Sequence, residues 1–139
     1  IPSIRVQETV VGVFPQEDGW DLSWLGNSIG WLNTTAFPSW SGNSVLTAHL
    51  IGSDGKPGPF YDLHLLSYGD RIIVHLNNQK YIYEVRSIDL NTDPEDTWVF
   101  RHEDYPWITL VTCRNFDPET NTYLLRTVVR AIQVEISGN

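Results

Sequence analysis

Short apolar runs bounded by polar turn residues dominate this chain, and hardly any stretch carries a helical period. Residues 10–14, 44–50, 107–112 and 123–136 are such runs, and Thr127, Val128 and Val129 sit at the centre of the longest. Runs of this length, rich in β-branched and aromatic residues, predict strands. Residues 71–76 and 79–85 flank Asn77 and Asn78, which predicts a β-hairpin with a short Asn-rich turn. Two stretches have room for a helical turn, 21–25 and 60–67, the second closed by Gly69 and Asp70. The pattern predicts an all-β fold, a barrel or sandwich with short helices, in one domain over residues 1–139.

Two connections are long for a compact domain. Residues 54–59 carry Gly55, Pro57, Gly58 and Pro59. Residues 87–106 carry Trp98 and the acids Asp89, Asp93, Glu95, Asp96, Glu103 and Asp104. Loops of that length are seldom kept without use, so both are expected to contact substrate.

Composition narrows the classes. Apolar residues make up 41% and charged residues 19% of the chain, which suits a folded domain. Lys plus Arg is 9 against 17 Asp plus Glu, a net charge of -8. Scattered single cations cannot form the basic stripe that nucleic acid requires, so no nucleic-acid partner is expected. One cysteine excludes an internal disulfide and a cysteine-rich zinc site. The four histidines, His49, His64, His75 and His102, lack the short spacing of a ligand pair, and no structural metal is expected. The chain opens at Ile1 and holds no methionine, so it is expected to be part of a longer product whose leader or anchor lies outside it.

Candidate chemistry centres on the lone thiol. A free cysteine is most often a small buried hydrophobe. Cys113, however, is expected to close the strand 109–112, with a polar loop from Arg114, where a nucleophile is both anchored and exposed. Cysteine attacks as thiolate and needs a group to share its proton. His49 is the best partner, because it too ends an apolar run and precedes a loop. His75 lies inside a strand, His64 in the possible helix and His102 in the acidic connection, where structural or surface roles fit better. Acyl transfer also needs a donor for the developing oxyanion. Arg126 and Arg130 share a face of the last strand by period-two alternation. Arg126 is nearer the Cys113 loop and is preferred, whereas Arg130 reads as a salt-bridge or barrel-face charge.

These residues resemble the sortases, cysteine transpeptidases of bacterial surfaces. The stretch Gly42-Asn43-Ser44-Val45-Leu46-Thr47-Ala48-His49 is similar to the segment bearing the family's histidine. Thr109-Leu110-Val111-Thr112-Cys113 fits the family's TLxTC pattern, and Arg126-Thr127-Val128-Val129-Arg130-Ala131 fits the strand with its arginine. Ile1-Pro2-Ser3-Ile4 looks like the opening strand motif, and Gly30-Trp31 like a turn on the way to the histidine. Phe60-Tyr61-Asp62-Leu63 with Leu66-Ser67-Tyr68-Gly69-Asp70 resembles the central segment.

The resemblance implies a closed sortase-type β-barrel of about eight strands with short helices. It implies that Cys113 attacks the threonine carbonyl of an LPXTG-type sorting signal, that His49 handles the amine protons and that Arg126 steadies the oxyanion. Thr112 and Ala48 would add contacts to the signal. Trp98 and Phe100, in the family's loop over the signal groove, would pack on its Leu-Pro part or belong to the core. The partners implied are surface proteins bearing a C-terminal signal and an amine of a cell-wall precursor peptide. The setting implied is the outer face of the cytoplasmic membrane, through an N-terminal anchor.

The segment 114–123 looks like that of class A sortases, with class D close. Class C pilin polymerases usually carry an N-terminal lid with Asp-Pro-Trp or Asp-Pro-Phe, and neither occurs here. The acids of 87–106 read first as a solvated loop. Glu95, Asp96, Glu103 and Asp104 are the weak candidates for the calcium that stimulates some class A enzymes. Otherwise no cofactor is expected. Three alternatives stand beside this reading: a class C-like pilin polymerase, a hydrolase of the same fold that uses water, and a non-catalytic carbohydrate-binding β-domain using the tryptophans.

Overall fold

The computed structural model describes residues 1–17 and 19–138. Its strands are β1 (Val10–Val13), β2 (Pro15–Gln16), β3 (Gly19–Trp20), β4 (Ile29–Leu32), β5 (Gly42–Thr47), β6 (Arg71–Leu76), β7 (Gln79–Thr92), β8 (Pro106–Asp117) and β9 (Thr122–Gly138). Seven form one curled, barrel-like sheet in the order β1-β4-β5-β8-β9-β7-β6, and β2 pairs with β3 as a separate small hairpin. The fold is mostly β, as the apolar runs predict.

The centre of the sheet explains why the sequence there reads as continuous apolar runs. β8 pairs in parallel with β5 and antiparallel with β9. Both faces of these strands are covered. On one face Leu46, Ala48, Ile108, Leu110, Val129 and Ala131 pack with Phe60, Leu63 and Tyr83. On the other, Val45 packs with Val13, Leu25 and Leu32, and Val111 leans against them. A strand buried on both sides loses the alternation of a half-exposed one.

Several local expectations are corrected. The hairpin forms as predicted, with Asn77 and Asn78 at φ 51° and 63°, the left-handed pair that a two-residue turn needs. The stretch 60–67 yields only a 3-10 turn at Leu63–Leu65, and 21–25 is a turn without helix. Pro2–Ile4 is a 3-10 turn rather than a strand, and Gly30-Trp31 lies inside β4 rather than in a turn. Residues 87–92 belong to β7, so the acidic connection is 93–105. Three register shifts along β7, at 82/83, 85/87 and 89/92, hide this strand from a period-two reading. Likewise 114–117 extends β8, and the ladder closes at Asp117↔Thr122. Cys113 therefore sits inside a strand, not at its end.

Candidate active site

The β8–β9 ladder sets Cys113 and Arg126 directly opposite each other. Residues paired this way point to the same face, so both side chains share the face of Val45, Thr47 and Val111. Cys113 is half-buried. Burial pushes its thiol above the ordinary cysteine range, and the Arg126 guanidinium pulls it only part of the way back. At neutral pH the resting thiol is protonated. Arg126 donates through Nη1 to the carbonyls of Leu125 at 3.0 Å and Tyr123 at 3.4 Å. Among the described residues its Nε and Nη2 have no hydrogen-bond partner.

His49 follows the end of β5 and is held from three sides. Its Nε2 donates to the Leu22 carbonyl at 2.8 Å. A carbonyl can only accept, so Nε2 carries a proton and Nδ1 is the nitrogen left to exchange one. The same carbonyl accepts from the Leu25 amide at 3.1 Å, and Leu25 is anchored in the core. Behind His49, Thr112 Oγ1 donates to the Ala48 carbonyl at 3.0 Å. The third support is Gly58, whose backbone lies so close that a Cβ there would collide with the His49 carbonyl. The connection 54–59, expected to touch substrate, thus buttresses the histidine.

Thr112 and Ala48 are placed differently from what the resemblance implies. Both are buried and belong to the opposite face, Ala48 in the core and Thr112 bonded to it. The period of two that carries Cys113 to one face carries Thr112 to the other. Their part is to tie the histidine segment to the strand of the cysteine.

A groove of about 160 Å³ runs from Arg126 along this face. It is lined by Thr47, Val111, Val45 and Leu32 from the sheet, by Leu22 and Trp20, and by Thr92, Asp93, Pro94, Asp96, Val99 and Phe100. Of the two aromatics singled out in the acidic connection, Phe100 is exposed and lines the groove. Trp98 is half-buried, and Val99 between them is the buried member of the turn Trp98–Phe100. A wider cleft of about 510 Å³ adjoins it and shares Trp20 and Phe100. Trp20, Leu22, Thr92 and Val99 escape sequence reasoning. The first two lie around a two-residue hairpin too short to show a period, and Thr92 lies past a bulge.

Arg130 takes the structural role expected of it. It is buried, with Nη2 2.9 Å from Glu103 Oε2, Nε donating to Thr109 Oγ1 at 3.2 Å, and its guanidinium 4.5 Å over the Trp107 ring. Thr109 Oγ1 in turn donates to Asn43 Oδ1 at 2.6 Å, and Asn43 Nδ2 donates to the carbonyls of Val99 and Arg101. This chain of bonds latches the connection 93–105 over the sheet. It also commits Glu103 to Arg130, while Asp104 sits beside His102. Among the described residues no three His, Cys, Asp or Glu side chains are grouped to hold a metal, so Glu95, Asp96, Glu103 and Asp104 do not converge.

A sortase-domain family profile matches residues 1–134. The chain belongs to the sortase family. Sortases are cysteine transpeptidases. The structure is similar to sortase C-1 from Actinomyces oris, with a TM-score of 0.76 and 30% identity over 97% of this chain and 71% of that one. It is similar to sortase A from Corynebacterium diphtheriae, with a TM-score of 0.77 and 27% identity over 97% of this chain and 58% of that one. Sortase E1 from Streptomyces coelicolor, solved with a tripeptide in its active site, shares the fold at 22% identity and a TM-score of 0.76, over 99% of this chain and 86% of that one. No curated protein matches in sequence. Among the described residues no helix is long and apolar enough to cross a membrane.

Proposed function

We propose that this sortase is a transpeptidase that cleaves an LPXTG-type signal between Thr and Gly and passes the acyl group to an amine. The observation that carries the reading is the ladder pair Cys113↔Arg126, with the His49 segment bonded to the neighbouring residue Thr112. His49 takes the proton of the Cys113 thiol. The sulfur attacks the threonine carbonyl carbon, and the oxyanion that forms is steadied by Arg126. The C–N bond to glycine breaks as His49 returns the proton to the leaving amine, leaving a thioacyl group on Cys113. An incoming amine then attacks the thioacyl carbon, the C–S bond breaks, and His49 passes the amine proton to the departing sulfur, which restores the Cys113 thiol.

The apolar groove beyond Arg126 has the lining that a Leu-Pro segment requires. Surface proteins with a C-terminal signal are the donors, and a cell-wall precursor peptide supplies the amine. The protein works at the outer face of the cytoplasmic membrane, held by an N-terminal anchor. Class A-like or class D-like housekeeping anchoring is the reading adopted, with class C-like pilin polymerisation and hydrolysis as its competitors.

A peptide library carrying LPXTG variants, offered with glycine-rich and diaminopimelate-type amines, tests the proposal. Mass spectrometry should find a thioacyl adduct on Cys113, and Cys113→Ala should abolish cleavage while the domain stays folded. Cleavage retained in Cys113→Ala would sink the mechanism. Product formed only with water would make the protein a hydrolase. Glycan binding without thiol-dependent cleavage would favour the carbohydrate-binding alternative.

A further inference from the structure

Thr92 is 3% exposed, and its hydroxyl has no hydrogen-bond partner among the described residues. Buried hydroxyls without partners are rare, because the group loses water and gains nothing. Asn33, Ser44 and Gln133 also carry such an atom, but Thr92 is the one that lines the groove. It is also the ladder partner of Arg126, so its side chain shares the face of that guanidinium. A register shift between Asp89 and Thr92 sets it there, and bulges commonly re-aim side chains beside active sites.

The chemistry of the proposed substrate supplies what is missing. Proline has no N–H, so a Leu-Pro pair offers two carbonyls and a single backbone donor. A groove that reads it must therefore present donors from an otherwise apolar wall. Among the described residues Arg126 has N–H groups without a partner, and the Thr92 hydroxyl has none either.

We infer that the Thr92 hydroxyl donates a hydrogen bond to a main-chain carbonyl on the acyl side of the bound signal, next to Arg126. Thr92 is thereby a substrate-binding residue, and this assignment rests on the sorting-signal reading. Its orphaned state in the free protein is a cost to stability that substrate relieves.

Thr92→Val and Thr92→Ser separate this role from a structural one. Thr92→Val keeps the shape and removes the hydroxyl. It should lose about tenfold in kcat/KM on the peptide, the weight of one neutral hydrogen bond, mostly through a higher KM. Its thermal midpoint should stay level or rise, because an unpaired buried hydroxyl is gone. Thr92→Ser should keep kcat/KM near that of the wild type. A wild type that cleaves, with Thr92→Val equal to it in KM or clearly less heat-stable, overturns the Thr92 assignment alone. A wild type that neither binds nor cleaves the peptide overturns the sorting-signal reading and this assignment together.

Discussion

Arg126 acts on Cys113 through charge as well as position, and the two can be separated by chemistry that needs no substrate. Burial raises the thiol and Arg126 lowers it, with burial the larger effect. Removing the guanidinium removes that pull toward thiolate. The alkylation rate of Cys113 by iodoacetamide should therefore rise with pH around a midpoint above the ordinary thiol value of about 8.5. Arg126→Ala should move that midpoint further up and slow alkylation at pH 7, while Arg126→Lys should stay close to the wild type. An unmoved midpoint in Arg126→Ala would show that the charge does not reach the sulfur. The same shift has a consequence for stability. A thiol whose folded pKa is raised favours the fold while it is protonated, and that contribution fades as pH climbs past the unfolded thiol value. At this scale the pairing of the candidate residues Cys113 and Arg126 was legible. The lone cysteine, the histidine after an apolar run and the arginine of the last strand are chemical types with few other uses together. Arg130 was legible for the opposite reason, since a charge among buried β-branched residues must find a partner. The structural tie between Thr112 and Ala48 was not, because the resemblance implied contacts to the signal, and the pleat turns neighbours to opposite faces.

His49 lies outside any regular element, and its place depends on three neighbours of different kinds. The turn bearing Leu22 fixes the ring, Thr112 in β8 fixes the preceding peptide, and Gly58 allows the 54–59 connection to close on the carbonyl. Gly58 was visible in the sequence only as part of a Gly/Pro-rich loop, which suggested contact with substrate. Its actual use, close approach of backbone to backbone, leaves no trace in the residue pattern beyond the glycine itself. Gly58→Ala puts a methyl against a backbone oxygen that cannot swing away. The expected result is a displaced His49, with kcat down by about 10²-fold and peptide KM altered much less. Overpacking should also cost stability, on the order of 1–3 kcal/mol. Kinetics and urea denaturation of this variant check both parts, and a kcat within twofold of the wild type would exclude the buttress. The other elements show where patterning works. The doubly buried β5 and β8 and the Asn-Asn hairpin follow their runs, whereas bulged β7 and the two-residue strands β2 and β3 do not.

For the molecule as a whole, the groove depends on a connection that carries little core of its own. Val99 is the buried residue of the turn Trp98–Phe100, and the rest of 93–105 is held by the polar chain from Glu103 through Arg130, Thr109 and Asn43 to the Val99 and Arg101 carbonyls. The acidic composition of this stretch thus has a structural component, since one of its carboxylates neutralises a guanidinium that is almost wholly enclosed. Deleting that carboxylate strands the guanidinium, and breaking a buried pair from one side typically costs about 3–5 kcal/mol. Glu103→Ala should show a loss of that order in urea denaturation and a raised KM for the peptide, as the groove wall loosens. The double variant Glu103→Leu with Arg130→Met removes both charges and leaves no stranded ion, so most of the stability should return. The KM should recover less, because Thr109 and Asn43 lose the partner that orients them. Equal losses in the single and double variants would mean that the ion pair itself, and not the penalty of an unpaired charge, is what holds the wall. Recovery of stability together with full recovery of KM would show that packing of Val99 alone positions the groove.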